Sequence, residues 1–135
     1  MAMQRRQFIE LSAVGGTVFF VTGLNCRRPH PDLYDSLSQP EQLAQICDLK
    51  TLREIGMAYR LQTPTEMEAG KLAKLLMSDS AGNPVSSTLD RSFIQNLISN
   101  KITQDFETGN IVILKGWILS VTEARQCALL FVNNP

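Results

Sequence analysis

A chain of 135 residues with 13 Lys plus Arg against 13 Asp plus Glu carries no net charge, and 44% of it is apolar. That balance lacks the basic surface a phosphate-backbone binder needs, so no nucleic-acid partner is expected. Once a leader is set aside the length suits one domain, and the apolar fraction is enough for a small core.

The first element is an address. Arg5 and Arg6 stand before Phe8 and Ile9, and from Leu11 to Leu24 the sequence runs LSAVGGTVFFVTGL without a charge. About 20 residues are needed to span a hydrocarbon core as a helix, whereas the apolar part of a signal peptide is about 7 to 15 long. Length therefore favours a targeting segment. The run resembles a bacterial twin-arginine (Tat) signal: Arg5, Arg6, Phe8 and Ile9 match its pattern, while Gln4 and Glu10 depart at two secondary positions. The Gly15-Gly16 pair fits the lower hydrophobicity of such signals. The resemblance implies export in a folded state and contact with the Tat translocon. The competing reading is an ordinary positive-inside flank of a general secretory signal or short anchor.

No small-x-small cleavage site follows Leu24, but Cys26 stands where a lipoprotein signal would be cut. Gly23 and Asn25 fit that motif poorly. Three outcomes stay open: lipidation at Cys26, an uncleaved amphiphilic anchor, and cleavage nearby. Two of them leave the protein on a membrane, in a periplasmic or other extracytoplasmic setting. Setting aside Arg5, Arg6 and Glu10, the chain from Cys26 onward holds 11 basic against 12 acidic residues.

The expected organisation is a signal or anchor over 1–26, a tether over 27–37 and a single helical domain over 38–135. Residues 27–37 contain Pro29 and Pro31, mixed charge and no helical period, which reads as a flexible leader. Four Ser/Thr-x-x-Glu patterns then predict capped helix starts: Ser38 with Glu41, Thr51 with Glu54, Thr65 with Glu68, and Ser120 with Glu123. The first helix is expected to bury Leu43, Ile46 and Cys47. The second buries Leu52, Ile55 and Tyr59 and stops at Thr63-Pro64. The third presents Leu72, Leu75 and Leu76, with Met67 or Met77 at its ends.

Residues 78–89, rich in Ser, Gly, Asn and Pro, read as a long loop. Asp90 is the expected N-cap of a fourth helix whose stripe of Phe93, Ile94, Leu97, Ile98, Ile102 and Phe106 is closed by Gly109, and this helix is expected at the centre of the core. Asn110 to Leu114 and Trp117 to Leu119 are apolar and extended in pattern around Lys115-Gly116, a two-residue hairpin turn. A last helix from Val121 to Phe131 places Ala124, Cys127, Ala128 and Phe131 on one face. The fold expected is mainly α, a small bundle of about five helices with a short C-terminal β-hairpin at 110–119, preceded by the N-terminal signal or anchor helix.

Residues that could carry chemistry are few. His30 is the single histidine and lies between prolines; with cysteines at 26, 47 and 127 there is no zinc spacing. Glu66 with Glu68, and Asp105 with Glu107, stand two apart and point to different faces of a helix, as solvated surface. No catalytic residue, metal or cofactor is expected, and the chain does not read as an enzyme. Cys47 and Cys127 sit on apolar faces, either as core thiols or as a disulfide pair in an oxidising compartment. Trp117 and Arg125 form the densest constellation. Trp117 is either an exposed partner anchor or a lid over the core, and Arg125 is a candidate partner contact.

That tail, with Arg53-Glu54-Ile55-Gly56-x-Ala58-Tyr59, resembles a group of small bacterial proteins that carry twin-arginine signals and end in Gly-Trp-x-Leu-Ser-x-Thr-Glu-Ala. The resemblance brings no activity with it. In size and layout alone the chain is also similar to the small twin-arginine-bearing subunits of membrane-bound flavin dehydrogenases, such as the third subunit of gluconate 2-dehydrogenase. This similarity implies an accessory role, in which the small subunit supplies the export signal for a larger oxidoreductase that folds in the cytoplasm. The alternative is a stand-alone envelope scaffold or small-ligand-binding domain anchored through Cys26 or the apolar segment.

Overall fold

The structure, a computed structural model, describes residues 31–85 and 90–135. Arg5, Arg6, Phe8, Ile9, the apolar segment 11–24 and Cys26 lie outside the described residues. Those described form six α-helices and one β-hairpin: α1 Pro31–Leu37, α2 Glu41–Ala44, α3 Leu49–Gln62, α4 Ala69–Leu76, α5 Arg91–Thr108, β1 Ile111–Leu114, β2 Trp117–Ser120 and α6 Val121–Asn133. A small helical bundle with a C-terminal hairpin is the fold expected from the sequence. None of these helices is long and apolar enough to cross a membrane.

The centre of the bundle is α6, not α5. Val121, Thr122, Glu123, Ala124, Gln126, Cys127, Ala128 and Leu129 are all buried, because α1, α3, α4, α5 and both strands pack around this helix. Small side chains make its tightest contact. Gly56 of α3 meets the main chain of α6 at Cys127 and Ala128, where a Cβ would collide with backbone atoms. The absent side chain lets the two helices pack with their backbones in contact. On α5 only Ile94, Ile98 and Ile102 are buried, while Phe93 and Phe106 face solvent. Asp90 does cap α5, its carboxylate accepting from Ser92 N, and Gly109 ends the helix in the left-handed conformation, as expected.

Three of the four capping boxes are not formed. Ser38 instead closes the end of α1, its hydroxyl donating to Asp35 O, and α2 starts after Pro40 with no side-chain cap. Asp48 rather than Thr51 caps α3, accepting from Thr51 N at 2.8 Å. Thr65 lies in a 3-10 turn, Pro64–Glu66, and α4 begins at Ala69 without a side-chain cap. Ser120 and Glu123 form the complete reciprocal box, with bonds of 3.0 and 2.9 Å.

Residues 31–37 are helix rather than tether. Pro31 is the first residue of α1, a position where its missing N–H costs nothing, so the proline starts the element it was expected to prevent. Leu37 is fully buried in the core. Leu43 is buried as expected, but Ile46 faces solvent and Cys47 is half-buried. The α3 face of Leu52, Ile55 and Tyr59 and the α4 face of Leu72 and Leu76 are buried, with Met77 rather than Met67 joining the core.

The hairpin follows the sequence closely. Ile113 pairs with Ile118 and Leu114 with Trp117 across the ladder. Lys115 and Gly116 have φ of 53° and 83°, the double left-handed turn whose twist matches paired strands. Leu114 and Leu119 turn inward and are buried, with Val112 and Trp117 packed partly against the core.

Candidate partner-binding surface

Strand alternation leaves one face of a hairpin to the core and the other to whatever lies outside. Here the outer face carries Ile111, Ile113 and Ile118, and the directly opposed pair is 64% and 62% exposed. Three β-branched side chains are thus exposed together on a two-stranded ribbon. A second apolar strip runs along the outside of α3, where Leu49, Met57 and Leu61, eight and then four residues apart, are exposed. Leu49 and Met57 line a shallow groove with Phe131 of α6, edged by Lys50, Arg53 and Glu54. The Arg60 guanidinium stands 5.4 Å from the centre of the Phe131 ring, a cation–π contact that fixes one wall of this groove.

The expected contact residues are placed differently. Trp117 packs partly over the core, as a lid rather than a free anchor. Arg125 is engaged inside the fold: its Nε and Nη2 donate to the two oxygens of Glu66, both at 2.9 Å, and Tyr59 Oη donates to Glu66 Oε2 at 2.6 Å. Glu66 is thus a clasp joining the turn after α3 to α6, not solvated surface. Burial alone would raise its carboxyl, but the bonds from Arg125 and Tyr59 outweigh that and hold it below the ordinary range. Burial first, and the Glu66 bond second, push the Tyr59 phenol up to about 12. Nothing in local periodicity marks Glu66, because its partner Arg125 is 59 positions away.

Asp105 is also recruited. Its Oδ2 accepts from Thr122 N at 2.9 Å and Thr122 Oγ1 at 2.6 Å, tying the end of α5 to the start of α6. Lys101 Nζ donates to the carbonyls of Leu75, Leu76 and Ser78, closing the C-terminal end of α4 with a positive charge where the helix dipole favours one. Together these clasps tie α5 to α4, and tie both α5 and the turn after α3 to α6, on which the hairpin packs.

Cys47 and Cys127 carry free thiols. Burial, then the nearby Glu123 and Cys47, push the Cys127 thiol up to about 12. No group of three His, Cys, Asp or Glu among the described residues is placed to hold a metal ion. No family model, curated protein or solved structure matches this chain.

Proposed function

We propose that this protein is a non-catalytic accessory subunit, exported or membrane-tethered outside the cytoplasm, that binds a larger oxidoreductase and escorts it through the Tat translocon. The observation that carries the binding role is the hairpin face of Ile111, Ile113 and Ile118, held outward on a frame clasped by Asp105 and by Glu66 with Arg125. Exposed β-branched residues on a hairpin with open edges are stabilised by a partner that covers them. The redox nature of the partner rests on the layout shared with flavin-dehydrogenase small subunits, and the export route on Arg5 and Arg6 ahead of an uncharged apolar stretch.

Two measurements test this reading. Replacing both arginines by lysine and fractionating cells should leave the protein in the cytoplasm; continued export would rule out the route. A pull-down from native membranes should recover an oxidoreductase with the wild type and lose it with Ile113→Lys/Ile118→Lys. Recovery of no oxidoreductase by the wild type removes the escort role.

A further inference from the structure

Helix α3 presents two distinct faces. Leu52, Ile55, Gly56 and Tyr59 are buried against the rest of the bundle. At 3.6 residues per turn, Leu49, Lys50, Arg53, Met57, Arg60 and Leu61 fall on the other side, within a sector of about 120°. The apolar members of that sector are uncovered: Leu49 is 58% exposed and Leu61, at the far end, 72%, with Met57 between them also exposed. Phe131 of α6 extends this surface sideways, its ring against the Arg60 guanidinium.

The charge on this face is one-sided. A chain with no net charge places three cations here, Lys50, Arg53 and Arg60, beside one acid, Glu54. Asp48, at the start of the helix, is turned onto Thr51 N as its cap. The ion pairs among the described residues are Arg91 with Glu41 and Arg125 with Glu66, so neither Lys50 nor Arg53 is held by a carboxylate. Basic side chains interleaved with large apolar ones on an exposed helix face suit a helix lying in the plane of an anionic bilayer surface. The cationic tips reach the headgroups while their methylene stems lie along the acyl boundary with the leucines. Leucines standing proud at both ends of the face favour a fluid surface, which fills in around them, over a protein partner, which needs recesses to match.

We propose that the outer face of α3 docks on a bilayer surface rich in anionic phospholipid, with Leu49, Met57 and Leu61 at the acyl boundary and Lys50, Arg53 and Arg60 among the headgroups. The contact is peripheral, with the helix lying along the surface. It depends neither on the isoleucine face nor on the twin-arginine route, and it holds whether or not the partner is an oxidoreductase.

The test uses NMR of the full chain with isotope-labelled methionine methyls, mixed with lipid nanodiscs that carry a spin-labelled headgroup lipid. Met57 and Met67 are equally exposed, 41% and 40%, but only Met57 lies on the proposed face, and Met77 is buried. In discs of equal parts phosphatidylglycerol and phosphatidylcholine, the Met57 methyl should broaden well beyond those of Met67 and Met77. The readout is the position of one methyl rather than total binding, so lipid contact by another part of the chain does not imitate it. Discs of phosphatidylcholine alone should broaden Met57 at least about tenfold less, because each basic side chain near an anionic surface contributes roughly fivefold in affinity. Lys50→Glu/Arg53→Glu should have the same effect in anionic discs. Both positions lie in the N-terminal part of α3, where glutamate is favoured, so this variant should keep the wild-type melting temperature. Equal broadening of Met57 and Met67, an equal effect of neutral and anionic discs, or an unchanged Met57 signal in the charge-reversed variant would each overturn the proposal. Absence of broadening in either disc would also overturn it and leave this face to a protein partner.

Discussion

Gly56 lies directly against the carbonyl of Cys127: a Cβ at position 56 would stand 2.1 Å from that oxygen and 2.5 Å from its carbon. No rotamer can relieve such a clash, since both partners are backbone within helices. Gly56→Ala should therefore force α3 away from α6, at a cost of about 3 kcal/mol despite the better helix propensity of alanine. Urea denaturation of the two proteins measures this directly. An unchanged or raised midpoint would show that the helices are not in backbone contact.

The clasp of Glu66 with Arg125 predicts a coupled pair. The two side chains are 14% and 20% exposed, so removing either leaves the other poorly solvated and should cost about 1–3 kcal/mol. Removing both should cost less than the sum. A double-mutant cycle with Glu66→Gln and Arg125→Met should give a coupling energy of about 1 kcal/mol, whereas strict additivity would mean the pair contributes nothing jointly.

The same clasp sets an acid dependence. Because the Glu66 carboxyl is held below its ordinary range in the fold, its stabilising effect is fully present above the unfolded value of roughly 4.3 and is lost as pH falls through the lower folded value. Glu66→Gln should accordingly show a shallower loss of stability below about pH 4 than the wild type, measured by urea midpoints across that range. Parallel curves would remove Glu66 from the acid response.

At alkaline pH the sign reverses. The Cys127 thiol, pushed up to about 12, stays protonated in the fold at pH values where an unfolded thiol of roughly 8.5 ionises. Its contribution is fully present below that unfolded value and is lost as pH rises from there towards the folded one. Cys127→Ala should flatten the decline in stability between about pH 9 and 11, and in the native wild type Cys127 should resist alkylation that unfolded protein undergoes readily. Rapid labelling of native Cys127 would contradict its burial.

Asp105 predicts a graded series. Asp105→Ala removes the acceptor for both Thr122 groups and should cost about 1–2 kcal/mol, while Asp105→Asn retains one acceptor oxygen and should fall between it and the wild type. Thermal melts rank the three. Equal melting temperatures would mean that the α5 to α6 junction is held by the hairpin alone.

Features set by adjacent residues were legible in the sequence: the Lys115-Gly116 turn, the Ser120 cap, the Asp90 cap and Gly109 stop of α5, and the buried face of α3. Features set by competition between elements were not. Thr51 has the signature of a cap, but Asp48 lies three residues earlier and accepts its N–H first. Ser38 was claimed by α1, which the prolines concealed. The hairpin itself was legible, but which of its residues face outward was not: the packing of Leu114 and Leu119 beneath leaves Ile111, Ile113 and Ile118 outermost. Gly56 did leave a signal, since an isolated glycine within a helical pattern costs about 1 kcal/mol unless a close approach requires it. Gln126 left none: its partners at 37 and 39 are brought to it by the whole fold.

The central place of α6 also fixes an order of events during synthesis. Val121–Asn133 leaves the ribosome after every other described element has already emerged, so α1, α3, α4 and α5 wait with their apolar faces uncovered until it arrives. The core closes only after translation has passed residue 133. The interval before α6 emerges is when chaperones have the most apolar surface to hold.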